Sequence, residues 1–142
     1  MQARVETLPA RHVCVVPHQG PAETIDATRR PLYRHMILNE LVGGPSIVRF
    51  HDHPVGDHHV DALVLTHSDF EGDEVCTVET LQPGRYAVAD YEGAEDQLAK
   101  ARHDFRAAAG KLGRIAGPVL QVHLMDAIDG IVEEQLQVLL AQ

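Results

Sequence analysis

The chain has 142 residues, 44% of them hydrophobic, and a formal net charge of −9. A chain of this length is one domain by size and buries roughly two-thirds of its unfolded surface, while no apolar run approaches the ~18 residues that span a bilayer. The negative field repels phosphate backbones and anionic lipid, and three Tyr, three Phe and no Trp leave no stacking platform for bases, so neither nucleic acid nor a membrane is an expected partner.

The opening residues, Met1-Gln2-Ala3-Arg4-Val5-Glu6, lack the apolar centre of a signal peptide, and a cytoplasmic location is expected. Residues 4–8 and 12–16 read as strands interrupted by Pro9-Ala10. The run Val13-Cys14-Val15-Val16 has the β-branched content of a buried strand. Gly20-Pro21 turns the chain into a helix expected over about 21–38, with Ile25, Thr28, Leu32 and Met36 on its inner face and Pro31 expected to kink or split it. Gly43-Gly44-Pro45 ends that helix, and strands follow at about 46–51 and 60–66. Between them, His53-Pro54-Val55-Gly56-Asp57 reads as a surface turn.

A second series of similar elements follows the loop Ser68-Asp69-Phe70-Glu71-Gly72-Asp73. After Glu74 to Thr80, the helix expected over about 94–112 carries Leu98, Ala101, Phe105, Ala109 and Leu112 at steps of three and four, one apolar stripe. The acidic residues Asp90, Glu92, Glu95 and Asp96 suit a solvated helix start. Ala116-Gly117-Pro118 opens the strand 119–124, and 135–140 closes the unit. Alternation sorts Leu120, Val122 and Leu124 to a side suited to packing under helices, with Gln121 and His123 on the other. Cys14 and Cys76 lie in apolar runs without metal-type spacing and are expected as buried reduced thiols.

The second series retraces the first at a constant shift of 73 positions. Leu8-Pro9-Ala10-Arg11-His12-Val13 returns as Leu81-Gln82-Pro83-Gly84-Arg85-Tyr86, Gly20 as Gly93, and Gly44-Pro45-Ser46-Ile47 as Gly117-Pro118-Val119-Leu120. Two copies of so long a unit are no solenoid. Repeat units of about 1–68 and 74–142 sharing one core are expected within a single domain, with a pseudo-twofold cleft between them as the natural ligand site.

Three motifs carry a family resemblance: the strand opening Leu81-Gln82-Pro83-Gly84-Arg85-Tyr86-Ala87-Val88; His18-Gln19-Gly20-Pro21 with its weaker counterpart Tyr91-Glu92-Gly93-Ala94; and a Gly-Pro strand ending in Phe50-His51-Asp52-His53-Pro54 or His123-Leu124-Met125-Asp126. Together they resemble the gyrase-inhibitor-like (GyrI-like) small-molecule-binding superfamily, which includes effector-binding domains of AraC-type and MerR-type transcription regulators. The resemblance implies an α+β fold of duplicated strand-helix-strand-strand modules. They would form a pseudo-twofold antiparallel sheet with a central groove, and helices on the opposite face. It also implies a stand-alone effector-binding or drug-binding protein for a small organic, cationic or hydrophobic ligand. Hydrolysis of reactive natural products, or a protein-interaction or toxin-protection role, are the alternatives. Where many members carry a groove glutamate this chain has Gln121, which holds no charge and transfers no proton, so binding is expected rather than catalysis. The regulators' separate helix-turn-helix domain has no counterpart among these residues.

The expected ligand contacts are Val48 and Phe50 as apolar walls, Gln121 and His123 as hydrogen-bonding groups, and Tyr91 and His18 at the mouth of each helix. His51, His53, His58 and His59 crowd one stretch with Asp52 and Asp57. Imidazoles at i, i+2 on a strand share a face and suit zinc or nickel, but this stretch reads first as a solvated loop, and no metal or cofactor is expected. No Gly-x-Ser-x-Gly elbow, cysteine motif or glycine-rich phosphate loop is present.

Overall fold

The structure, a computed structural model, describes residues 1–142, with the side chain of Pro54 left out. The elements in chain order are β1 (Arg4–Leu8), β2 (Arg11–Pro17), α1 (Asp26–Leu38), β3 (Val42–Val55), β4 (His58–Thr66), β5 (Thr77–Leu81), β6 (Gly84–Ala94), α2 (Leu98–Gly110), β7 (Val119–Ile128) and β8 (Ile131–Leu139). The fold class is α+β, with the strand pairs within each unit antiparallel.

The chain divides into two compact units, a first of residues 10–82 and a second of residues 1–9 and 83–142. Within the first unit the sheet runs β5-β2-β4-β3. Within the second it runs β1-β6-β8-β7. Each unit therefore has strand, helix, strand, strand in sequence, plus one edge strand. The edge strands set the unit limits: β1 precedes β2 in sequence but pairs with β6, and β5 precedes β6 but pairs with β2.

In the first unit α1 lies against β3 and β4, and its Leu32 and Met36 pack with Cys14, Ala62, Val64 and Cys76. In the second, α2 lies against β6 and β8 and buries Leu98, Ala101, Phe105 and Ala109, while Leu112 stays exposed. Both helices begin later than their sequence pattern predicts, because a 3-10 turn intervenes, Ala22–Thr24 before α1 and Glu95–Gln97 before α2. Pro31 does not split α1, which runs unbroken to Leu38. Pro31 and Ala27 are both exposed, so the carbonyl that loses its i+4 donor can be hydrated.

One further expectation is narrowed and another overturned. The stretch read as a surface turn is the exposed tip of a hairpin: β3 continues through Val55, β4 starts at His58, and only Gly56 and Asp57 turn. Val55 pairs with His58, and Gly56 takes a φ of 62°. The β7–β8 hairpin closes likewise at Asp129-Gly130, with φ of 51° and 77°, the backbone that a two-residue turn of this kind requires. Cys14 and Cys76 are not free thiols but a disulfide across 62 positions. The pairing of β5 with β2 brings Cys76, one residue ahead of β5, beside Cys14, a closeness that no local spacing could announce. The thiol argument for a reducing compartment falls with it. Among the described residues no helix is long and apolar enough to cross a membrane.

Candidate functional site

The second unit carries a buried polar network on an otherwise apolar sheet face. Gln121 on β7 pairs with Leu136 on β8, and Leu136 with Ala89 on β6. One step along, His123 pairs with Glu134, and Glu134 with Tyr91. Residues directly opposite in an antiparallel ladder point to the same face. Gln121, Leu136 and Ala89 therefore share that face with His123, Glu134 and Tyr91.

Arg102 of α2 donates from its Nη1 to Gln121 Oε1 at 2.8 Å, which identifies this face as the one α2 covers. The sequence reading had put Leu120, Val122 and Leu124 under the helix and Gln121 with His123 away from it, and the geometry reverses that. Small residues explain the reversal: Ala87 and Ala89, both fully buried, sit where a helix needs room, whereas hydrophobicity alone pointed to the bulkier side. Leu120 and Val122 are buried on the opposite face, and Leu124 is exposed.

Glu134, 5% exposed, is the centre of the network. Its Oε1 accepts from Gln121 Nε2 at 3.4 Å, and both its oxygens lie 3.2 Å from His123 Nδ1. His123 Nε2 faces Asp126 Oδ1 at 2.8 Å. With its carbonyl on Arg102 and its amide on Glu134, Gln121 is fixed in orientation. His123 has a carboxylate against each ring nitrogen. A carboxylate this buried is tolerable only because donors surround it.

Glu134 and Arg102 were not singled out from sequence, although a signal existed for the former. Strand alternation through Val132, Leu136, Val138 and Leu140 puts Glu134 in line with four buried apolar residues, and a lone carboxylate on such a line is unusual.

The other expected contacts lie as follows. Tyr91 on β6 donates its hydroxyl to Ala94 O at 2.6 Å and packs on Gly93, where a Cβ would come within 2.9 Å of the tyrosine oxygen. His18, 2% exposed, is committed within the first unit. Its Nδ1 meets Thr28 Oγ1 at 2.7 Å, and its Nε2 meets Thr24 Oγ1 at 2.8 Å and Pro21 O at 3.1 Å, so it braces the 3-10 turn against α1. Val48 is buried and Phe50 half-buried on β3, opposite Ala62 and Val60.

The histidine-rich stretch divides. His53 and His59 are exposed, whereas His51 and His58 turn toward Asp61. On the outer side of α1, Arg30, Pro31, Arg34, His35 and Leu38 line an open depression of about 620 Å³. Two of its lining residues have other partners, Arg30 with Asp26 and His35 with Asp73, and hydrogen bonding to His35 holds the Asp73 carboxyl below the usual range. Converging buried polar groups mark a ligand site better than an open hollow does, so the Glu134 network is the candidate.

The family model of the GyrI-like small molecule binding domain matches residues 1–136. No curated protein matches the sequence. Among solved structures, the chain is similar to EcmrR in a complex with DNA, with a TM-score of 0.76 and 11% identity over 96% of this chain and 56% of that one. The chain thus spans little more than half of that protein. It is similar to SAV2435, solved bound to tetraphenylphosphonium, with a TM-score of 0.65 and 11% identity over 97% and 93% of the two chains. It is also similar to a hydrolase encoded by lin2189 from Listeria innocua, with a TM-score of 0.60 and 11% identity over 96% and 90%. At such identities the likeness is one of fold.

Proposed function

The chain belongs to the GyrI-like small molecule binding domain family, and from that premise we propose that it captures a small organic ligand, a cation or a polarised hydrophobe, on the sheet face of Gln121, His123 and Glu134. The observation that carries this reading is Glu134: a buried carboxylate among hydrogen-bonding side chains supplies the charge that Gln121 lacks. The sequence position changes from β7 to the neighbouring β8, but the chemistry offered to a cation is the same. His123, with about a fifth of its side chain exposed, is the edge a ligand meets first. The net charge of −9 favours the approach of cations. Support by likeness comes from SAV2435, whose structure holds the organic cation tetraphenylphosphonium.

A thermal-shift screen with tetraphenylphosphonium, other organic cations and neutral hydrophobes tests the proposal. A ligand that binds only the native state at 100 times its Kd adds about 2.7 kcal/mol, a rise of several degrees in a domain of this size. Cations are expected to raise the melting temperature more than neutral compounds of equal size. A flat response across the panel would remove the proposal.

One observation favours a second reading, hydrolysis of a reactive small molecule: His123 stands between Glu134 and Asp126, an arrangement suited to general acid–base work. Compounds that raise the melting temperature would then be consumed on incubation, as followed by mass spectrometry, and His123→Ala would abolish the turnover.

A further inference from the structure

The β3–β4 hairpin of the first unit carries a second polar cluster that the proposed ligand site does not use. Asp61, its side chain 3% exposed, stands opposite Arg49 in the ladder. His51 lies two residues beyond Arg49 on β3 and His58 three residues before Asp61 on β4, so both imidazoles reach the same carboxylate. His51 Nε2 is 2.6 Å from Asp61 Oδ2, and His58 Nε2 is 2.9 Å from Asp61 Oδ1. The rings stand nearly perpendicular, with centroids 5.6 Å apart. One donor atom from each of the three residues falls within a span of 4.8 Å.

Neutralising Asp61 does not require this arrangement. Arg49 already contacts Asp61 Oδ2 through Nε at 2.8 Å and Nη2 at 2.7 Å, a charge-assisted pair sufficient for one buried carboxylate. Two further half-buried imidazoles, each using its Nε2 and each facing a different carboxylate oxygen, are surplus to that need. We propose that His51, His58 and Asp61 form a binding site for a divalent transition-metal ion of the zinc type.

The donor set is right for such an ion. Two imidazole nitrogens and one carboxylate oxygen suit zinc, cobalt or nickel and leave coordination positions for water. Ligands at ~2.0–2.1 Å from one ion are themselves at most ~4.2 Å apart, so side-chain adjustments below about an ångström convert the hydrogen-bonded cluster into a coordinating one. On loading, each Nε2 presents its lone pair, and the proton it carried moves to Nδ1 or to bulk water.

The charge balance also permits it. Arg49 is not a lone cation beside the site, because its Nη1 bonds Glu79 Oε2 at 2.7 Å. With neutral imidazoles, Arg49, Asp61 and Glu79 sum to −1, and a dication brings the cluster to +1 rather than +2. The Arg49 guanidinium is shared between Asp61 and Glu79. It stays a cation and orients the carboxylate from behind, the usual task of an outer partner. His51 and His58 keep 19% and 13% of their side chains exposed, leaving an approach for the ion.

The test is calorimetric titration of Zn2+ into the untagged full chain after chelator treatment, with Co2+ absorption as a second readout. One ion per chain is expected. His51→Gln and His58→Gln should weaken binding at least tenfold and remove the visible Co2+ bands. His53→Gln and His59→Gln, on exposed histidines of the same hairpin, should leave both unchanged. The two critical variants retain the Arg49–Asp61 pair. Should either fail to fold, nitrogen NMR of the wild-type rings replaces it, and Zn2+ must shift the Nε2 signals of His51 and His58. No saturable binding, unmoved Nε2 signals, or binding that depends on His53 and His59 instead would overturn the proposal.

Discussion

A carboxylate with as little access to water as Glu134 survives burial because Gln121 and His123 donate to it, and Arg102 holds Gln121 in the orientation that lets it do so. Removing one member of such a network leaves the others unsatisfied, at a cost of about 1–3 kcal/mol for each group. The same reasoning assigns His18 to the scaffold, since both its ring nitrogens have partners within the first unit. Surface charges act more weakly, and Asp90 is the measurable case. Hydrogen bonds from Gln135 and then Arg4 hold its carboxyl below the usual carboxylate range. A depressed folded pKa contributes stability above the unfolded value of about 3.9, and that contribution is lost as pH falls through the lower, folded value. Asp90 is largely exposed, so after solvent screening the effect is a few tenths of a kcal/mol. Urea unfolding of Asp90→Asn is expected to show a small deficit at pH 7 that disappears near pH 2, whereas a deficit of equal size at both pH values would assign it to packing instead. At this scale the sequence was informative about residue type and poor about partners. Gln121 and His123 stood out on an alternating strand, but their link to Glu134 depends on two register shifts between His123 and Ile128 that displace the pairing begun at the Asp129-Gly130 turn.

The elements themselves were largely legible, because their signals are local. The stripe from Leu98 to Ala109 places α2, and the β-branched run from Val13 to Val16 places β2. The errors came where two signals compete. Pro54 and Gly56 in succession read as a loop, yet a strand tolerates proline near its end and the two-residue turn needs only Gly56 and Asp57. Helix-facing sides were misassigned because bulk was weighed above the small residues a helix needs beneath it. The disulfide is non-local and therefore invisible to any spacing argument. It ties β2 to the segment before β5, and β2 is also the strand with which β5 pairs. A covalent link across 62 positions removes enough freedom from the unfolded chain to add about 2–4 kcal/mol. Reduction, or Cys14→Ser with Cys76→Ser, is expected to lower the melting temperature by several degrees and to release protection of β5 amides in hydrogen exchange. Unchanged melting under reductant would show that the pairing of β2 with β5 suffices alone.

Across the molecule, each unit lays a helix over a four-stranded sheet whose edge strand immediately precedes the other unit's first strand in sequence. The exchanged edge strands β1 and β5 were not expected from sequence, because pairing partners are a tertiary choice. The family assignment now rests on the match over residues 1–136. Gln121 at the expected glutamate position argues for binding rather than catalysis. Glu134 restores a carboxylate from the adjacent strand, which makes the choice between a binder of cations and a binder of neutral molecules an experimental one.

Calorimetric titration of tetraphenylphosphonium into the wild-type chain and into Glu134→Gln poses that question most directly. The account predicts saturable one-to-one binding by the wild type and at least tenfold weaker binding, about 1.4 kcal/mol or more, by a folded Glu134→Gln. Equal affinity in the two proteins would contradict it.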